Sequence, residues 1–169
     1  MEIEEAITTA IEFERKVRDI YFEGASLIKD DTGKSFFKIL GADEQSHLDY
    51  LEYKLSLWQK QGKIEAKTLK TVVPSLEEIK KGEKKLRATV ARDHMNIAQR
   101  MLSSALKSEK ETSAFYERMV QELPEEGRAL FKPFVDIENR HIDVVQYELD
   151  QISSTGYWFD YSEFDMDGC

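Results

Sequence analysis

Hydrophobic positions recur every three to four residues along most of the chain, which is the spacing of one face of an α-helix. This spacing predicts four long helices, over about 3–29, 34–61, 89–122 and 125–153. The turn DDTG separates the first two helices, and LPEEG separates the last two. No alternating pattern typical of β-strands stands out. We therefore predict an all-α protein.

The connection between the second and third helices, about 62–88, is long, polar and interrupted by Gly62, Pro74 and Gly82. Two short turns and one long crossover are typical of an antiparallel four-helix bundle, in the ferritin-like topology. Residues 1–154 would form this bundle. Residues 155–169 are aromatic and acidic. We expect this C-terminal strap to pack on the bundle or on a partner subunit.

A glutamate and a histidine three residues apart occur twice where a helix is expected to bury hydrophobic side chains. Glu44 and His47 lie in the second predicted helix, and Glu138 and His141 lie in the fourth. Residues at i and i+3 share one helix face, so each pair points in one direction. Both pairs are therefore expected in the interior of the bundle.

The first and third helices each place a further glutamate on the hydrophobic stripe. Ala10-x3-Glu14-x6-Tyr21 in the first helix is echoed by Ala105-x3-Glu109-x6-Tyr116 in the third. Each unit is followed by one of the Glu-x-x-His pairs, so the two hairpins look like copies of one unit. The tyrosine hydroxyls could hydrogen-bond a carboxylate on a neighbouring helix. An ordinary core tyrosine is the other interpretation.

Four carboxylates in a dry interior are costly unless they are protonated or neutralised by cations. Two divalent ions carry four positive charges, and two neutral imidazoles would complete the coordination. In such a dinuclear site Glu44 and Glu138 would bridge the ions, and the other four groups would be terminal ligands. The predicted ligands are Glu14, Glu44, His47, Glu109, Glu138 and His141. A mixed oxygen and nitrogen shell suits iron or manganese and accommodates zinc.

The composition excludes several other classes of function. A net charge of −9 and a pI near 5.0, with lysines interleaved among glutamates, argue against a nucleic-acid partner. The single cysteine, Cys169, excludes a disulfide framework and any multi-thiolate metal site within the chain. No stretch approaches the ~18 apolar residues of a membrane span, and no signal peptide is visible. A cytoplasmic location is expected.

Through these two Glu-x-x-His pairs and their upstream glutamates, the chain resembles the rubrerythrin and ferritin-like superfamily over about 3–153. The resemblance implies two bound iron ions in a carboxylate-bridged, non-haem di-iron oxidoreductase. It also implies a small-molecule oxidant, hydrogen peroxide or dioxygen, which the site would reduce.

Two features depart from the pattern of rubrerythrins. Those proteins carry a four-cysteine rubredoxin domain, which this chain cannot build, so a separate electron donor such as a rubredoxin is expected. Where they carry an additional glutamate one turn after the ligand of the third helix, this chain has Thr112. The ligand set is thus closer to that of bacterioferritins.

For the assembly, we expect a homodimer.

Two alternatives remain open at the level of the sequence. One is a ferroxidase or iron-storage protein, and the other is a metal-free helical scaffold. Among the remaining polar residues, Asp43 lies four residues before His47 and has the spacing to orient its imidazole, but a solvated aspartate is the simpler expectation. His94 is expected at the surface, because it lies four turns before Glu109.

Overall fold

The computed structural model of the protein describes residues 1–65, 67–82, 87–89 and 94–159. Most of these residues are helical. The elements in chain order are α1 (Ile3–Leu27), α2 (Asp31–Gln61), α3 (Leu76–Gly82), β1 (Arg87–Thr89), α4 (Met95–Glu122), α5 (Glu125–Thr155) and β2 (Tyr157–Phe159). None of the described helices is both long enough and apolar enough to cross a membrane.

Glycine ends two of the four long helices. Gly62 after α2 and Gly156 after α5 both adopt the left-handed conformation, with φ of 63° and 73°. Each donates its N–H to a carbonyl of the last helical turn, at 2.8 Å for Gly62 and 3.1 Å for Gly156. Side chains rarely adopt this conformation, so glycine is the residue that terminates a helix in this way.

The four long helices form a bundle. α1 packs along α2, α4 packs along α5, and α1 also packs against α4. The hydroxyl of Tyr21 donates to Glu109, and the hydroxyl of Tyr116 donates to Glu14. In each pair the tyrosine lies further along its own helix than the glutamate of that helix does. The C-terminal part of α1 therefore lies beside the N-terminal part of α4, and the two helices are antiparallel.

A polar layer divides the hydrophobic core into two clusters. On α2, Leu40 belongs to one cluster and Leu51 to the other, and Glu44 and His47 lie between them. The other three long helices show the same order, with hydrophobic residues on both sides of their buried glutamate. Each glutamate is thus held at the same level of the bundle by well-packed neighbours.

The connection after α2 differs from its prediction. A two-stranded antiparallel sheet pairs β1 with β2, with Ala88 opposite Trp158, whereas the sequence suggested no strands. α4 begins at Met95 rather than near residue 89, and α2 begins at Asp31 rather than near 34. Three-residue strands are too short to show an alternating pattern, which explains why the sequence did not reveal them.

The C-terminal segment beyond α5 contacts the bundle through Trp158. Its indole is fully buried and lies edge-on to Phe37, with ring centroids 6.3 Å apart. Residues 160–169 of the predicted strap, with Cys169, lie outside the described residues.

Candidate metal centre

Each long helix of the bundle contributes one glutamate to the polar layer, and α2 and α5 add one histidine each. None of these side chains is accessible to solvent. They are the six residues that the sequence singled out: Glu14, Glu44, His47, Glu109, Glu138 and His141. The structure therefore brings all six together, in a part of the bundle where isolated charges would be strongly unfavourable.

The ligand atoms fall into two groups that share two residues. One group contains Glu14 and His47, the other contains Glu109 and His141, and Glu44 and Glu138 belong to both. Within each group the candidate ligand atoms lie within 4.8 Å of one another. Two cations, one in each group, would both have Glu44 and Glu138 among their ligands. Each group could hold a metal ion.

Both histidines turn their Nδ1 atoms towards the carboxylates. Nδ1 of His47 lies 3.3 Å from Glu44 Oε2 and 3.5 Å from Glu14 Oε2. Nδ1 of His141 lies 2.6 Å from Glu44 Oε1 and 3.5 Å from Glu109 Oε1. Each imidazole thus faces the carboxylates of its own group.

Several oxygens of the cluster have no hydrogen-bond donor. Within the described part of the chain, both carboxylate oxygens of Glu138 are buried and unpartnered, as are one oxygen each of Glu14, Glu44 and Glu109. Nδ1 of His141 and Oε1 of Glu44 are also without a hydrogen-bond partner among the described residues, although they lie 2.6 Å apart. Buried polar atoms left unpartnered at this density need another source of stabilisation, which protons or bound cations could provide. The donor set therefore fits metal ions.

The metal-free cluster holds protons where metal ions would lie. Burial raises the pKa of Glu44 to about 8, and burial together with the charge of Glu44 raises the pKa of Glu138 well above its usual value. Burial alone would lower the pKa of His47, but its contacts with Glu14 and Glu44 raise that pKa to about 10. The pKa of His141 is also raised, against the effect of burial, by the carboxylates beside it.

The two tyrosines that follow the upstream glutamates are fully buried and hydrogen-bonded to the cluster. Tyr116 donates to Oε1 of Glu14, and Tyr21 donates to Oε1 of Glu109. Oε2 of each glutamate remains without a hydrogen-bond donor. Of the two arrangements that the sequence left open for these tyrosines, the structure shows the hydrogen-bonded one. Each tyrosine fixes one carboxylate oxygen and leaves the other available.

Asp43 is not the solvated aspartate that the sequence suggested. It is only 5% exposed, and its Oδ2 accepts a hydrogen bond of 2.9 Å from Nε2 of His141. Nε2 of His47 lies 3.7 Å from the same oxygen. Thr71 and the backbone N–H of Val72 also donate to this carboxylate. The spacing of four residues between Asp43 and His47 was the available signal, but the contact with His141 depends on tertiary packing.

His94 also differs from its prediction. It is 8% exposed, and it lies at the start of α4 rather than on the surface. It takes part in none of the ligand groups formed by the described residues. Thr112 is buried beside the cluster, but its hydroxyl donates to the carbonyl of Ser108 at 2.9 Å. It therefore caps a backbone oxygen within α4 rather than adding a carboxylate.

Comparison with known proteins supports the fold alone. No family model matches the chain, and no curated protein gives a significant match. A solved structure, a hypothetical protein from Pyrococcus furiosus, is similar over 90% of this chain and 91% of its own, with a TM-score of 0.63 and 20% identity. The fold and the cluster together define a helical-bundle protein with buried carboxylate and histidine groups that could bind metal.

Proposed function

We propose that the protein is a non-haem di-iron oxidoreductase of rubrerythrin type in a ferritin-like bundle. In this proposal it reduces hydrogen peroxide or dioxygen with electrons from a separate donor protein. The observation that carries the proposal is the pair of ligand groups sharing Glu44 and Glu138. Two iron ions held between shared carboxylates can supply two electrons to an oxidant.

The charges of the cluster favour two divalent ions. Four carboxylates and two neutral imidazoles balance a total charge of four, and the mixed oxygen and nitrogen donors suit iron or manganese. Uptake of the ions requires the histidines to lose their protons, because only a neutral imidazole nitrogen can ligate. The raised pKa values of His47 and His141 therefore describe the metal-free protein.

The surrounding residues have defined roles in this proposal. Tyr21 and Tyr116 hold Glu109 and Glu14 by one oxygen each. Asp43 accepts from Nε2 of His141, which fixes the imidazole so that Nδ1 faces the carboxylates. The hydrophobic clusters above and below the polar layer exclude bulk water from the reaction.

The proposal is tested by loading the purified protein with ferrous iron without oxygen and adding hydrogen peroxide in known amounts. We expect about one peroxide to be consumed per two ferrous ions, because peroxide takes up two electrons. Glu44→Ala should abolish this reaction, whereas Glu52→Ala should not, because Glu52 lies on the same helix at the surface and pairs with Arg15 outside the cluster. Ferrous protein that leaves peroxide intact would refute the activity.

Thr112 supports a second candidate function, ferroxidase activity for iron storage. Its hydroxyl bonds within α4, so the further carboxylate of rubrerythrins is missing at this position. An exchange of ligands between the two oxidation states of the iron would then lack this additional carboxylate. Iron storage requires uptake well beyond two ions per chain and a large hollow assembly. Iron content after aerobic loading, measured with the mass of the assembly in solution, distinguishes the two candidates.

A further inference from the structure

The two cluster histidines present a second set of ligand atoms on the side away from the glutamates. Their rings stack at 13° with centroids 5.5 Å apart. Both Nε2 atoms face Oδ2 of Asp43, at 2.9 Å from His141 and 3.7 Å from His47. These three atoms lie within 4.8 Å of one another, and all three side chains are buried.

One atom of this outer set has no partner. Nε2 of His47 is buried and makes no hydrogen bond with any described residue. Its distance of 3.7 Å from Asp43 suits two ligands of one ion better than a donor and its acceptor. Two imidazole nitrogens and one carboxylate oxygen form a common ligand set for Fe²⁺ and Zn²⁺, with further positions left for water.

A surface crevice reaches Asp43, one member of this set, from solvent. It has a volume of about 300 Å³, and its lining includes Ser35, Ser46, Val72 and Asp43. Val72 is 53% exposed at the outer side, and its N–H binds Asp43 at the inner side. The glutamates of the cluster have no accessible surface at all. An ion that arrives through this crevice therefore meets Asp43 before it meets the glutamates.

We propose that Asp43, His47 and His141 form a mononuclear loading site for a divalent metal ion. A neutral imidazole has one free nitrogen lone pair, so each histidine serves the loading site through Nε2 or the inner cluster through Nδ1, but not both. The loading site is thus occupied only while the inner cluster is incomplete. This inference rests on the proposed metal centre, but it requires no reaction with an oxidant.

The first experiment asks where an ion binds when the inner cluster is disabled. In the double variant Glu44→Gln with Glu138→Gln, we expect one Zn²⁺ per chain, with histidine ¹⁵N spectra showing coordination through Nε2. Adding Asp43→Ala should weaken this binding at least 10-fold. Coordination through Nδ1, or no binding by the correctly folded double variant, would overturn the loading site.

The second experiment measures how fast the otherwise wild-type protein loads. Co²⁺ is mixed with metal-free protein, and its visible absorption is followed in Asp43→Ala and in the matched control Asp49→Ala, an exposed aspartate of α2. We expect the half-time, normalised to final occupancy, to lengthen about 10-fold or more for Asp43→Ala only. Equal half-times would contradict the inference. Neither experiment uses peroxide, so the loading site and the proposed activity fail independently.

Discussion

At the level of single residues, the cluster combines fixed and free carboxylate oxygens. Glu14 and Glu109 each give one oxygen to a buried tyrosine hydroxyl and keep the other unpartnered, whereas Glu138 has no donor on either oxygen. The oxygens with a tyrosine partner are oriented before any ion arrives. Neither shared glutamate has a tyrosine partner in the described part of the chain: Glu44 contacts Nδ1 of His47 through one oxygen, whereas Glu138 would be oriented mainly by bound ions.

This difference predicts the effect of removing one tyrosine hydroxyl. Tyr116→Phe keeps the ring packing on Phe134 but releases Glu14, and we expect metal affinity to fall about 10-fold or more. A competition titration with a chelating dye measures the affinity. Tyr50→Phe is the matched control, because its hydroxyl bonds the carbonyl of Lys67 outside the cluster. An unchanged affinity in Tyr116→Phe would show that the hydroxyl does not orient Glu14.

The sequence predicted the six cluster residues because they violate the hydrophobic pattern at matching positions of four helices. A charged residue on a buried stripe is conspicuous, and two Glu-x-x-His pairs at matched spacing are specific. Asp43 does not stand out in this way, because a single aspartate next to a buried glutamate in the sequence is expected to face solvent. Its burial arises from Thr71 and Val72 of the connection after α2, and contacts across the fold are not visible in local spacing.

At the level of elements, long helices were predictable and short strands were not. Helices of 25 to 31 residues repeat their periodic pattern many times, so their existence follows from the sequence. β1 and β2 have three residues each, and their pairing joins positions that are far apart in the chain. The buried indole of Trp158, rather than any strand propensity, positions β2 against the bundle.

Two glycines of α2 lie against aromatic rings, so substituting them tests how tightly those rings are packed. A Cβ at Gly33 would lie 2.6 Å from the ring of Trp158, and one at Gly41 would lie 2.7 Å from the ring of Phe22. Trp158 is fully buried and cannot move aside, whereas Phe22 is 42% exposed and can turn towards solvent. We expect Gly33→Ala to destabilise the fold by about 1–3 kcal/mol.

Gly41→Ala serves as the matched control for this prediction, because alanine favours the helix by about 0.5–1 kcal/mol over glycine. We expect this gain to offset the displacement of Phe22, so that stability changes little. Urea unfolding followed by circular dichroism compares the two variants. Equal losses at both positions would mean that the indole of Trp158 is not held against Gly33.

At the level of the whole molecule, the buried cluster can be neutralised in two ways, by protons or by metal ions. Without metal, protons occupy the buried carboxyls and imidazoles, as the raised pKa values of Glu44, Glu138, His47 and His141 indicate. With metal, two divalent ions would replace those protons. Each divalent ion that displaces two protons leaves the net charge of the interior unchanged, so the surrounding hydrophobic clusters need not change.

This exchange makes the stability of the metal-free protein depend on pH. Glu44 with a pKa of about 8 and His47 with a pKa of about 10 hold protons that the unfolded chain releases near its ordinary values of 4.5 and 6.5. The folded state therefore binds more protons, and its stability falls as pH rises, from 4.5 to about 8 through Glu44 and from 6.5 to about 10 through His47. The loss is on the order of 1 kcal/mol per pH unit for each such proton. The lowered pKa values of Glu14 and Asp43 act in the opposite direction, but at lower pH.

Metal binding has the opposite pH dependence. At pH 7 we expect two or more protons to leave the protein per two ions bound, because the pKa values of Glu44 and His47 are about 8 and 10 and those of Glu138 and His141 are also raised. Affinity for Zn²⁺ should therefore rise with pH over the range in which the metal-free fold weakens. Zn²⁺ titration in a lightly buffered indicator solution counts the protons, and thermal unfolding with and without Zn²⁺ measures both trends. Release of fewer than one proton per ion would mean that the ions do not displace the buried protons.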